Sequence, residues 1–308
     1  YKVRVDHWIS TGGKVSPYFD PLLAKIMVWS PTRTSENIIK VLKATKIQGV
    51  VNNIEYCTEI LNSSNFKNGN TLTNFLSSFE FRPHLLEFEE AGAYTTIQDL
   101  PGRRKIRTGV PHGGPADSLS LQIANITVGN DKNTACLEIN MKGPVIKFHN
   151  SAVIAIAGAS FEITLNGKEV PMATEIFVPM GSILDIGEPT GKSCKCYLAV
   201  KGGLPGVAEY LGSKSCIPSL SLGGHQGRII FPGDCLETDK IPEVTEVKFG
   251  YSMPKELLPS YEVESNVIRM IGGPHDTEDI CSVKGLKQLY SVDSVSYTHL
   301  TLPTICSV

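Results

Sequence analysis

The spacing of apolar positions changes near residue 83, and the change predicts two kinds of structure in one chain. Val3-Arg4-Val5-Asp6-His7-Trp8-Ile9 alternates apolar with polar, the period of a half-buried strand, and Thr11-Gly12-Gly13-Lys14 supplies a turn after it. Pro31, following Ser30, is placed to open a helix on which Ile38, Ile39, Leu42 and Ile47 recur near helical spacing. Asn53 is predicted to cap a second helix whose stripe is Ile54, Cys57, Ile60 and Leu61. Thr71 or Thr73 is placed to cap a short third helix through Phe75 and Leu76, ending near Phe81-Arg82-Pro83.

Beyond Pro83, short apolar runs are broken by Gly, Pro or Asn-Gly about every ten residues, the texture of a barrel or sandwich. The predicted strands are 153–157, 161–165, 176–178, 183–186, 196–200 and Arg228-Ile229-Ile230-Phe231. Asn166-Gly167 is the strongest hairpin signal among them. One helix is expected to interrupt the series. Asp117 caps Ser118–Val128, Leu119, Ile123 and Ile126 form its stripe, and Gly129 stands where a C-cap belongs.

Length and charge narrow the function. The 308 residues suit about two domains of roughly 150 residues each. With 29 basic against 31 acidic residues the net charge is −2, which argues against a nucleic-acid binder. No apolar run reaches the roughly 18 residues that span a bilayer, so no membrane partner is expected. The first residue is Tyr1 rather than Met, and the true start is expected upstream. The eight cysteines include no C-x-x-C pair and none at zinc-ligand spacing, so no metal site is implied and free thiols in a reducing cytoplasm are expected. In a strand, Cys194 and Cys196 would share a face.

Two ordered sets of motifs then carry a resemblance. Val3–Asp6, Val15-Ser16-Pro17-Tyr18-Phe19-Asp20-Pro21-Leu22-Leu23-Ala24-Lys25, Thr45–Asn53 and Phe66-Lys67-Asn68-Gly69 resemble the C-terminal part of a biotin carboxylase. Residues 91–275 resemble allophanate hydrolase subunit two, the Kip-type carboxyltransferase fold. The marks there are Thr95–Arg103, Gly109-Val110-Pro111-His112-Gly113-Gly114-Pro115-Ala116-Asp117, Val128-Gly129-Asn130, Leu137-Glu138-Ile139, Tyr210–Ser213 and Gly223-Gly224-His225-Gln226-Gly227-Arg228. The two joined in one chain resemble the urea carboxylase family, including its urea amidolyase form. The resemblance implies an α+β biotin carboxylase C-terminal piece over 1–82 and a mainly-β cyclophilin-like barrel over 83–294. It also implies an ATP- and biotin-dependent ligase that carboxylates urea to allophanate. ATP, Mg2+ and biotin belong to the parent enzyme, and urea and the carboxybiotin of a carrier domain are the partners of this part. Oligomerisation is left open.

No Gly-rich phosphate loop is visible, so residues 1–82 read as scaffold, with Lys25 in a turn-to-helix segment, and the isolated chain is expected to be inactive. No catalytic residue is assigned. Capture of a small neutral acceptor needs converging donors and acceptors, and carboxyl transfer leaves negative charge on the biotin ureido oxygen. The candidate binding residues are Gly113, Gly114, Asp117 and Asn125, with His225, Gln226 and Arg228. The glycines admit close backbone approach. Asp117 is either a helix cap alone or a cap and a urea acceptor, and the second Gly-rich stretch is either part of the site or a solvated turn. Glu138 reads equally as inward or outward. Arg103-Arg104-Lys105 with Arg107 reads as a solvated turn before a carboxylate site, and His275, after Gly272-Gly273-Pro274, as a loop residue. Residues 295–308 do not continue the resemblance and read as a translated read-through tail that packs on nothing. Two other functions compete: a Kip-type subunit of 5-oxoprolinase, and a binding module that inhibits a sensor kinase. Residues 1–82 speak against both, because a stand-alone Kip protein would begin near Ala91.

Overall fold

Antiparallel strands dominate the computed structural model. It describes residues 1–32, 35–45, 47, 50, 52–79, 81, 83–103, 109–261 and 282–289. Their order is β1 (Lys2–His7), β2 (Ala24–Trp29), α1 (Ser35–Ala44), α2 (Ile54–Asn62), α3 (Ser64–Lys67), β3 (Leu85–Glu90), β4 (Tyr94–Gln98), α4 (Ser118–Thr127) and β5 (Cys136–Asn140). Then come β6 (Val145–Phe148), β7 (Ala152–Gly158), β8 (Phe161–Leu165), β9 (Lys168–Glu169), β10 (Thr174–Val178), β11 (Ile183–Pro189), β12 (Lys195–Val200), β13 (Cys235–Glu237), β14 (Lys248–Ser252) and α5 (Val283–Leu289). The chain forms two compact units, Tyr1–Glu262 and Val263–Val308, and α5 is the described part of the second. The expectations for His275, Cys281, Cys306 and residues 295–308 lie outside the described residues.

Strands β1 and β2 pair as a two-stranded ribbon. All six residues of β1 are exposed, against the expected half-burial, because no second layer covers either face of the ribbon. Lys25 lies on β2 opposite Asp6 rather than in a turn leading to a helix. The Ile26-Met27-Val28-Trp29 run that follows it favours extended backbone. Helix α1 starts at Ser35, after Pro31. Asn53 holds the cap position of α2, but the capping bond comes from its neighbour: Ile54 N–H donates to Asn52 Oδ1 at 3.2 Å. The expected third helix is a single 3-10 turn, Phe75–Ser78, led by Asn74. Helix α2 is tied to the β-rich part by Glu55, which accepts from His84 N–H at 3.1 Å, and by Glu59, 3.0 Å from Lys240 Nζ.

The twelve other described strands make two six-stranded antiparallel sheets. One has the order β14-β10-β7-β12-β5-β4 and the other β13-β3-β6-β11-β8-β9. The largest core cluster lies on residues from both, among them Phe88, Phe148, Ile156, Ile163, Ile186 and Leu198. A second cluster packs α4 on the other face of the first sheet, through Leu121, Ala124 and Val128 with Ala155, Tyr197 and Ala199. This revises the expected stripe on α4. Ile123 is buried as expected, but Leu119 and Ile126 are about half exposed, and the rest of the buried side is Leu121, Ala124 and Val128, spaced at i, i+3 and i+7. Asn166 and Gly167 both take positive φ in the β8–β9 hairpin, as a two-residue turn of this kind requires.

Two further expectations are corrected. Arg228–Phe231 is not a strand. Ile230 N–H makes one ladder-like bond to Thr95 O, and Pro232 then interrupts pairing, so the strand begins at Cys235. Cys194 and Cys196 do not share a face, because β12 begins between them; Cys194 is exposed and Cys196 buried. The six described cysteines are free thiols. No described helix is long and apolar enough to cross a membrane.

Candidate functional site

The turn that feeds α4 is built from residues that only glycine conformations allow. Gly109, Gly113 and Gly114 have φ of 77°, 68° and 101°. The turn ends on Asp117, an N-cap in extended conformation. Asp117 Oδ1 accepts from the N–H groups of Leu119 and Ser120, each at 3.1 Å. Its Oδ2 lies 2.5 Å from Ser120 Oγ and 3.0 Å from Tyr261 Oη, and these two hydroxyls also contact each other, so one hydroxyl donates to the carboxylate while the two protons are shared over three contacts. Burial and then the exchange of bonds with Ser120 and Asp117 leave the Tyr261 phenol pushed up to about 12. Two N–H groups and two hydroxyls surround this carboxylate. A ligand N–H reaches Asp117 by displacing one of the hydroxyls.

Beneath the turn, β5 and β12 contribute Glu138 and Tyr197, directly opposite each other in register. Glu138 is 7% exposed, yet it does not point between the sheets: Leu137 and Ile139 take that core, and Glu138 is buried on the outer face, under the turn before α4, opposite Tyr197. Its Oε2 accepts from Ala116 N–H and from Tyr197 Oη, both at 2.8 Å. Tyr197 Oη in turn accepts from Asp117 N–H at 2.8 Å. Lys195 Nζ lies 3.6 Å from Glu138 Oε1. Burial, and then the charge of Glu138, push the Tyr197 phenol far up, so its hydroxyl stays protonated and donating.

The second Gly-rich stretch meets the first across Arg103. A Cβ on Gly113 would stand 2.9 Å from Arg103 Nη1, and one on Gly223 would collide with Arg103 Nη2 and Ser215 O. Arg103 is fully buried, which overturns its reading as part of a solvated turn; the basic residues that follow it lie outside the described residues. Its Nη2 donates to Ser215 O, and its Nε and Nη1 have no hydrogen-bond partner among the described residues. A buried cation with open donors is costly unless something polar meets it. Asp99 fixes the segment that carries Ser215. Its carboxylate accepts from Ser213 Oγ, Lys214 N–H, Ser215 N–H and Ser215 Oγ at 2.5–3.2 Å.

His225 is buried and its Nε2 lies 3.3 Å from Asp234 Oδ1. Arg228 grips the same carboxylate with both Nη atoms, at 2.6 and 2.9 Å. Burial opposes ionisation of Asp234, but the bonds from Arg228, His225 and Phe231 N–H outweigh it and hold the carboxyl well below its usual range. Burial also raises the nearby Cys216 thiol to about 11, although Arg103 and Arg228 draw it down.

The structure therefore gathers Gly113, Gly114 and Asp117 on one turn, and brings Gly223 against it through Arg103. Gly113 and Gln226 are exposed, with Gln226 Nε2 3.4 Å from His225 Nε2. His225 and Arg228 are turned inward to Asp234. Asn125 is not brought to the turn: it is buried, donates to Thr134 O at 2.8 Å and accepts from Asn130 Nδ2 at 3.1 Å. Residue-by-residue reading missed Tyr197, Asp234 and Tyr261. The one available signal was the hydroxyl of Tyr197, alone in the apolar run Cys196–Val200. No group of three His, Cys, Asp or Glu among the described residues is placed to hold a metal ion. What the turn offers is open backbone beside a buried positive charge, on a rigid support.

Comparison with known proteins matches two domain families along the chain. Residues 108–296 match the family of the carboxyltransferase domain, subdomain A and B, and residues 1–78 match the biotin carboxylase C-terminal domain. A putative urea carboxylase of Emericella nidulans is 38% identical over 292 residues, covering 94% of this chain and 23% of that protein. The crystal structure of the Kluyveromyces lactis urea carboxylase superposes with a TM-score of 0.72 at 34% identity, over 94% of this chain and 26% of that one. A 5-oxoprolinase subunit of Escherichia coli is 35% identical over 157 residues, 51% of this chain and 50% of that protein. The chain thus spans about a quarter or less of the urea carboxylases it matches.

Proposed function

Since the chain belongs to the family of the carboxyltransferase domain, subdomain A and B, we propose that it is part of a biotin-dependent urea carboxylase and carries part of the carboxyltransferase site. The observation that carries this reading is the order of two matches in one chain, a biotin carboxylase C-terminal domain over 1–78 followed by the carboxyltransferase match over 108–296. We place the domain boundary at 82/83, with an α+β piece before it and the two sheets after it as a cyclophilin-like arrangement.

In this reading, biotin supplies an activated carboxyl group when bound. Gly113 and Gly114 hold its ureido ring by their open backbone, and the orphaned donors of Arg103 are the observation that fits an anionic group there. Asp117 orients urea through N–H bonds that replace the hydroxyl of Tyr261. His225 and Arg228 shape the neighbouring turn through Asp234 rather than meeting the acceptor. ATP and Mg2+ are handled elsewhere in the parent, a cytoplasmic enzyme.

The test is an assay of the longer protein that carries this chain. Allophanate formation that needs ATP, bicarbonate and urea is expected, above a slower bicarbonate-dependent ATP hydrolysis that runs without urea. Failure of urea to raise turnover or to yield allophanate would sink the proposal. The partial match to the 5-oxoprolinase subunit supports a second reading, in which 5-oxoproline replaces urea in the same assay. That reading leaves residues 1–78 without a role.

A further inference from the structure

We propose that Glu138 and Tyr197 are positioning residues that fix the His112–Asp117 turn over the sheet, an inference that rests on the carboxyltransferase reading of that turn. The two backbone N–H groups just upstream of α4, those of Ala116 and Asp117, end on these side chains at 2.8 Å each. Beyond Ser118, the N–H groups of Leu119 and Ser120 end on Asp117 itself. Every one of these four donors is therefore bound, and the Ala116–Asp117 end of the turn cannot slide along the helix axis without breaking bonds.

The support beneath is stiff. Glu138 and Tyr197 face each other on adjacent central strands, and the two are 7% and 0% exposed. A carboxylate at such a position costs desolvation that an aliphatic side chain would avoid. A role confined to the sheet would close its hydrogen bonds within the sheet. Here both backbone bonds of the pair leave the sheet for the turn, and Tyr197 serves as donor to Glu138 and acceptor from Asp117 at once. At the other end, Gly113 rests against Arg103. The open backbone of Gly113 and Gly114 is thus held between two buried anchors. Preorganisation of this kind matters because a displacement near 1 Å in a reacting group costs on the order of a hundredfold in rate.

The experiment uses the longer protein that carries this chain, with urea-independent ATP hydrolysis as internal control. Tyr197→Phe keeps the ring and removes one oxygen. It is expected to lower urea-dependent kcat about tenfold while the control reaction moves little, with a modest fall in melting temperature because the Asp117 N–H loses its buried acceptor. Glu138→Ala should lose at least as much, and Glu138→Gln, whose amide oxygen accepts both bonds, should regain most of that loss. Tyr197→Phe within twofold of the parent would overturn the proposal. So would Glu138→Gln as inactive as Glu138→Ala, which would assign the effect to charge instead of placement. A parent with no urea-dependent turnover would overturn the functional reading by itself. The amide resonances of Ala116 and Asp117 in the isotope-labelled chain then still decide the pair: a shift in Tyr197→Phe supports it, and unmoved resonances defeat it.

Discussion

Val3 and Val5 of β1 are 45% and 48% exposed, whereas Phe161, Ile163 and Leu165 of β8 are 7%, 1% and 2% exposed. Both strands alternate apolar with polar. The ribbon β1–β2 has two strands and no covering layer, while β8 lies in a six-stranded sheet whose inner face shares a core with the other sheet. Alternation therefore states which side of a strand is apolar, and only a second layer converts that side into stability. The N-terminal region owes its fixed position to a few polar ties, Glu55 to His84 and Glu59 to Lys240. The β-rich region owes it to a continuous core.

The contrast can be tested most severely in the core. Phe148→Ala, at a fully buried position between the sheets, is expected to destabilise the chain by about 3–5 kcal/mol in guanidinium chloride unfolding. A loss below about 1 kcal/mol would mean that the two sheets do not share one core. Asp234→Asn comes next, with a loss of about 3 kcal/mol, because Arg228 and His225 lose the charge they face. The sign with pH follows from the lowered Asp234 value. The ordinary carboxyl titrates near 3.8, so the stabilisation is complete above that pH and fades as pH falls through the lower folded value. The difference between parent and variant should be flat down to about pH 4 and shrink below it; a difference that grows in acid would contradict this.

Smaller effects sharpen the comparison at its edges. Asp117→Ala should cost about 1 kcal/mol of stability as a lost cap. In the longer protein it should also abolish urea-dependent turnover while bicarbonate-dependent ATP hydrolysis persists. Loss of both reactions together would leave only the cap. Val5→Ala, on the uncovered ribbon, should change chain stability by less than about 0.5 kcal/mol. A value near 2 kcal/mol would show that the ribbon is buried in solution.

Where a feature is local, the residues alone reveal it. Asn166-Gly167 can take the two positive φ values of its hairpin, and Asp117 precedes its helix with a short side-chain acceptor. The misreadings are all cases in which distant partners decide. Arg103 stands in a run of basic residues, the pattern of a solvated face, yet Ser215, more than a hundred positions away, takes it into the interior. Leu119 and Ile126 outrank Ala124 in hydrophobicity, but the sheet takes the face carrying Leu121, Ala124 and Val128, with Ile123 beside it. Tyr197 looks like one more apolar residue of its strand until Glu138 is seen opposite it. Pro31 and the run Arg228–Phe231 mislead similarly, since proline and β-branched residues report preference, and pairing partners settle the outcome.

The anchoring of the His112–Asp117 turn also has a consequence in time. Its Ala116 and Asp117 amides are bound to side chains of β5 and β12, so they are freed only when the turn lifts off those side chains. Hydrogen–deuterium exchange at these two amides should therefore be slower than at an unanchored turn, and should speed up in Tyr197→Phe. A surface turn without such roots exchanges on the fast timescale of local fraying.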